Sequence, residues 1–92
     1  MDYINWSRDA YQRKKIEAIL KLYGLRYDTS EAWEVHSLPE GRQVYVGYAF
    51  STETSGDVFC VVVWPDHDVY EIDDPSRWQK TEPTRKFARK EF

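Results

Sequence analysis

The 92 residues predict an α+β domain, an amphipathic amino-terminal helix packed across a four-stranded antiparallel meander and followed by a short basic tail. Three observations carry that expectation. Apolar side chains near the amino terminus recur with a helical period, later segments alternate with a period of two, and clusters of Pro, Gly and Asp between those segments form turns.

The helix is the clearest element. Ile16, Ile19, Leu20 and Tyr23 fall at i, i+3, i+4 and i+7, one face of a helix. Ser7 is the expected cap and Gly24 the left-handed residue that ends it, so the expected span is 7 to 23. Asp9 with Arg13 and Glu17 with Lys21 place opposite charges four residues apart.

Beyond a polar loop, Trp33 and Val35 alternate with Glu34 and His36, a first strand. Leu38 to Arg42 holds the Pro and Gly of a tight turn. Val44, Val46, Tyr48 and Phe50 then alternate with Tyr45, Gly47, Ala49 and Ser51 as a second strand. Val58 to Trp64 is apolar on both faces, which suits a central third strand. Pro65 to Asp68 reads as a turn and Val69 to Ile72 as a fourth strand with Tyr70 and Ile72 inward, ended by Asp74-Pro75-Ser76. The expected core is Ile16, Ile19, Leu20, Tyr23, Trp33, Val35, Val44, Val46, Val61, Val63 and Ile72, with Tyr48 and Phe50 also set against the helix. Residues 1–78 form one domain in this reading and 79–92 a basic tail, since Pro83 breaks any helix attempted there.

A chain this short buries about 60 to 65% of the surface its unfolded form exposes, so its stability rests on a few large side chains. Here those are aromatic, 16% of the sequence, a composition that serves cores and binding surfaces alike. The longest apolar run, Val58 to Trp64, falls far short of a bilayer span. Met1 to Asp9 lack a basic region followed by an apolar one, and the single Cys60 has no internal partner; together these predict a cytoplasmic protein.

Gly47-Tyr48-Ala49-Phe50 resembles the middle of the RNP1 signature of RNA-recognition motifs, a resemblance that covers four positions. It implies that Tyr48 and Phe50 stand on an open sheet face and stack on bases. Position 46 is Val where that family carries Lys or Arg, and the strand, loop and strand after Phe50 depart from its βαββαβ order. Asp66-His67-Asp68, with Glu34 and His36, mixes carboxylate and imidazole, but neighbours in a turn diverge, and no metal or cofactor is expected. Cys60 lies within the most apolar strand, where burial disfavours thiolate. With no nucleophile motif and no phosphate-cradling Gly-rich loop, the chain is not expected to be an enzyme.

Charge is divided unevenly. Residues 1–30 hold six basic and four acidic groups, residues 31–74 one basic against ten acidic, and residues 75–92 six basic against two acidic. The acidic middle predicts a surface of Glu34, Glu53, Asp57, Asp66, Asp68, Glu71 and Asp73, with Trp78 as an aromatic anchor. Its partner would be a protein with a basic surface, bound and inhibited, as small phage-encoded inhibitors and immunity proteins do. Nucleic acid is the second expectation, contacted through Arg85, Lys86, Arg89 and Lys90 of the tail and Arg8, Arg13, Lys14 and Lys15 of the helix.

Overall fold

A computed structural model describes residues 2–5, 9–30, 32–53, 57–79 and 83–90. The described residues form one α-helix, α1 (Ala10–Lys21), and seven strands: β1 (Asp2–Tyr3), β2 (Leu25–Tyr27), β3 (Glu34–Ser37), β4 (Gln43–Ser51), β5 (Val58–Val63), β6 (Val69–Glu71) and β7 (Arg85–Lys86). The α+β class is as the sequence predicts, and the expected meander is β3 to β6. Three additional strands lengthen the sheet to the order β1-β3-β4-β5-β6-β7, with β2 also paired to β4. Each has only two or three residues, too few to display a period.

Helix α1 buries Ile16, Ile19 and Leu20, and the register is the one their spacing predicts. The expected cap, Ser7, lies outside the described residues. Asp9 occupies the N-cap position without capping the helix, and its carboxylate instead accepts the Asn5 backbone N–H at 2.9 Å. The helix stops at Lys21, short of the expected Tyr23. Leu22, Tyr23 and Gly24 tighten into a turn, donating backbone N–H groups to Ile19, Leu20 and Lys21, and Gly24 ends it at φ +70°.

One edge of β4 serves two partners. Gln43 to Val46 pair with β3, and Ala49 to Ser51 pair with β2. Between them the chain leaves the edge, and the Trp33 indole lies across Gly47 so closely that a Cβ there would overlap the ring. Trp33 is completely buried and its Nε1–H donates to the Asp28 carbonyl at 3.1 Å. Gly47 is therefore the seat of the largest core side chain, and its missing Cβ is what that packing requires.

All eleven expected core residues are buried, but on two sides of the sheet. Beneath α1, Ile16, Ile19, Leu20 and Tyr23 meet Trp33, Val35, Tyr45, Ala49, Val61, Val63 and Val69. Val44, Val46, Val62 and Ile72 form a smaller cluster on the opposite face, joined by Cys60, Trp64, Tyr70 and Trp78. Tyr48 and Phe50 oppose Cys60 and Val58 in register with the smaller cluster, so they face away from the helix, not toward it as expected. The cause is volume: Gly47 and Ala49 leave room for Trp33 and the helix on their side, and the larger residues take the other. Tyr70 and Ile72 likewise lie on that second face, whereas Val69 points under the helix.

The described part of the tail belongs to the sheet. Arg85 and Lys86 pair with Glu71 and Tyr70, Phe87 donates to the Val69 carbonyl at 3.0 Å, and Lys90 donates to the Leu22 carbonyl at 2.7 Å. The last segment thus runs from the sheet edge back to the end of the helix.

Candidate functional site

Among the described residues no helix covers the second face of the sheet. Across it the strand registers place Tyr3, Glu34, His36, Tyr48, Phe50, Val58, Cys60 and Tyr70. Tyr3 is 55% exposed and Val58 52%. Tyr48, Phe50, Trp64, Tyr70 and Trp78 are each half-buried, large aromatic rings with one part packed and another in water. Two cations stand at opposite sides of this face, Arg26 over the Phe50 ring at 5.6 Å and Lys86 over Tyr70 at 5.7 Å.

Towards one end, the rings organise one another. After β6, Asp74 accepts the backbone N–H of Ser76 at 2.8 Å and opens a short 3₁₀ turn, Pro75–Arg77, that delivers Trp78 back to the sheet. The Asp74 carboxyl is held below the usual carboxylate range by its hydrogen bonds from Ser76. Trp78 stacks on the His36 imidazole, centroids 4.5 Å apart, and meets Trp64 at 5.9 Å with the rings inclined by 49°. His36 is held in turn by Glu34 at 2.8 Å. Trp64, Tyr70, Trp78 and Pro83 wall a pocket of about 330 Å³, with Val62 and Ile72 also lining it and Asp66 the one charged side chain there among the described residues.

Near the middle of the face lies Cys60, whose thiol is pushed up to about 12, first by burial and then by the carboxylates of Asp74, Glu34, Asp73 and Glu71. A thiol so protonated is a poor nucleophile. Asp74, Glu34 and Asp73 give this part of the face a negative field, whereas Glu71 pairs with Val61 on the helix side of the sheet and is held by Arg85. Among the described residues no group of three His, Cys, Asp or Glu side chains is placed to hold a metal ion, and Asp66, His67 and Asp68 serve as a turn. There Asp66 accepts the Asp68 N–H at 3.0 Å, and the His67 carbonyl takes the Tyr23 hydroxyl at 2.6 Å. Nor is any helix among the described residues long and apolar enough to cross a membrane.

Several of the residues predicted from charge are divided rather than gathered. Glu53 is paired with Lys90 at 3.4 Å, Asp68 with Lys86 at 3.6 Å, Glu71 with Arg85 at 2.7 Å, Asp73 with Arg77 at 3.2 Å, and Glu34 with His36. Asp57 and Asp66 are exposed and make no ion pair among the described residues. Trp78 and Glu34 come together through His36, and Asp66 joins Trp78 at the pocket; Glu53 and Asp57 lie elsewhere.

The second set, the tail cations, is engaged within the chain. Besides its ion pair, Arg85 lies 4.7 Å from the centre of Phe59 and 4.4 Å from Phe87. Arg89 donates to the Tyr23 hydroxyl at 3.3 Å, and Lys90 packs its alkyl stem against Gly24. On the helix, Lys15 stands over Tyr45 at 5.9 Å, while Arg8 lies outside the described residues. Sequence reasoning missed Trp64 and Tyr70 as surface aromatics. The available signal was the apolar run of β5, which fills both faces of a strand and therefore requires something apolar beyond the helix-covered side.

A larger cavity, about 780 Å³, opens between the end of α1 and β2. It is lined by Lys21, Arg26 and Lys90 together with Glu17, Asp28 and Glu53, a balance of charge that selects no class of ligand. Comparison with protein-family models, with curated proteins and with solved structures returns no match.

Proposed function

We propose that the protein is a non-catalytic interaction domain that binds a basic protein and blocks it, using the sheet face not covered by the helix. One observation carries the reading: on that face the half-buried rings of Tyr48, Phe50, Trp64, Tyr70 and Trp78 lie together with the carboxylates of Glu34 and Asp66. Half-buried rings supply contact area at small entropic cost, because packing has already fixed them on one side. The carboxylates attract a cationic partner and orient it, an influence on association rate that falls as salt rises. The surface is smaller than the acidic middle of the sequence suggested, because the carboxylates of Glu53, Asp68 and Glu71 are balanced by the tail. A reducing cytoplasm is the compartment that suits its single thiol.

The test is a competition between faces. Immobilised wild-type protein should retain a purified lysine-rich protein at low salt and release it as salt rises. A variant with Phe50→Ser and Val58→Lys, both on the helix-free face, should bind at least tenfold more weakly, whereas Lys14→Glu on the exposed side of the helix should not weaken binding. Equal retention by the first variant, or retention of single-stranded oligonucleotides in place of the basic protein, overturns the reading.

A further inference from the structure

The pocket walled by Trp64, Tyr70 and Trp78 has a chemistry of its own. Two indoles inclined by 49° with centres 5.9 Å apart form a wedge, and Tyr70 adds a third ring. The faces of such rings carry negative electrostatic potential, and a cation within about 6 Å of a ring centre is attracted to it. The wedge is braced from behind, since Trp78 rests on His36 and His36 is held by Glu34. A ring fixed before a ligand arrives loses little freedom on binding it.

Which cation fits follows from the acceptors. Among the described residues Asp66 is the only charged side chain lining the pocket, it is exposed at the pocket's edge, and one of its oxygens already takes the Asp68 N–H. An ordinary lysine brings three N–H donors and an arginine five, and desolvating them against indole carbon leaves donors unsatisfied. A methylated ammonium keeps the charge and loses the donors, so it suits aromatic walls with a single carboxylate at the edge.

We propose that this pocket is an aromatic cage for a trimethylated lysine side chain of the basic partner, an inference that rests on the binding face proposed above. Lys86 then has a definite influence. Its ammonium stands 5.7 Å from the centre of Tyr70 and 3.6 Å from Asp68, a resident positive charge beside the cage that opposes an incoming one.

The experiment titrates the whole protein with three short peptides that differ only at one central residue, following tryptophan fluorescence and the indole N–H resonances. The central residue is trimethyllysine, lysine, or the neutral isostere in which carbon replaces the quaternary nitrogen. The trimethyllysine peptide should bind at least tenfold more tightly than either of the others. Asp66→Asn should weaken it about threefold or more, and Lys86→Gln should strengthen it about twofold; both positions are away from the core, and a retained melting temperature separates these effects from misfolding. Equal binding of the neutral isostere or unmoved Trp64 and Trp78 resonances overturns the cage, and choline binding as tightly as the peptide overturns its assignment to a lysine of the partner. Should the peptides fail while the lysine-rich protein is still captured on the same face, the cage falls and the binding face stands; trimethyllysine binding without such capture has the reverse meaning.

Discussion

The two faces of this sheet use the same kinds of residue to opposite ends. Beneath the helix, Trp33 is sealed between Gly47 and the α1 side chains with its one polar atom satisfied by the Asp28 carbonyl. On the other side, Trp64 and Trp78 rest on a small Val and Ile cluster and on each other, with no helix or strand of the described residues laid over them. A tryptophan is thus a core residue where a second layer exists and a contact surface where none does. The lesson is that aromatic content must be apportioned by layer before it is assigned a role.

The strongest way to break this comparison is to unseat Trp33. Trp33→Ala should cost about 3–5 kcal/mol in urea unfolding, as expected for a large buried aromatic. Gly47→Ala should cost about 1–3 kcal/mol, because its new methyl group meets the indole. The double variant should lose clearly less than the two costs added together, since removing the ring removes the collision. Strict additivity would show that Trp33 and Gly47 do not share one packing site.

The next effect concerns how dry the open face is around Cys60. With its thiol raised from about 9 to about 12, alkylation by iodoacetamide at pH 8 should run roughly a thousandfold slower than for a free thiol. The sign for stability follows: a raised thiol favours the neutral form in the folded chain, so its contribution is complete below pH 9 and is lost as pH climbs towards 12. Alkylation at the rate of a free thiol at pH 8 would place water over the centre of that face.

Trp78→Ala should be milder than Trp33→Ala, about 1–2 kcal/mol by urea unfolding, because the ring is only half-buried. Its effect on binding to a basic partner should exceed its effect on stability. Smallest of all is Arg77→Gln, which breaks an exposed pair with Asp73 and should change stability by less than about 0.5 kcal/mol.

How much of this was legible in the chain depends on the element. The helix face could be read because Ile16, Ile19, Leu20 and Tyr23 repeat over two turns, β3 to β5 because each runs long enough to alternate or to be apolar throughout, and the three-residue β6 because the turns at residues 65–68 and 74–76 bound it. β1, β2 and β7 were not, since so few residues with no turn signals around them carry no period, and their pairing comes from long-range contacts such as Leu25 with Ser51 and Arg85 with Glu71. The face taken by Tyr48 and Phe50 could not be derived from alternation alone, because β4 is apolar on both sides and the choice is made by Trp33 filling the space over Gly47. For the site, Trp78 and the acidic character of residues 31–74 were visible. That a basic tail would fold back onto the acidic sheet was readable too; the particular pairs, Arg85 with Glu71, Lys86 with Asp68 and Lys90 with Glu53, were not, as net charge by segment contains no information on which charges meet.

The most direct measurement is a map of amide and indole resonances of the labelled protein as a lysine-rich polypeptide is added at low salt. Shifts concentrated at Phe50, Val58, Trp64 and Trp78, with Lys14 and Ala18 on the outer side of α1 unchanged, are the result expected of a sheet whose uncovered face is the binding surface. Shifts centred on the helix, or spread evenly over both faces, would contradict it.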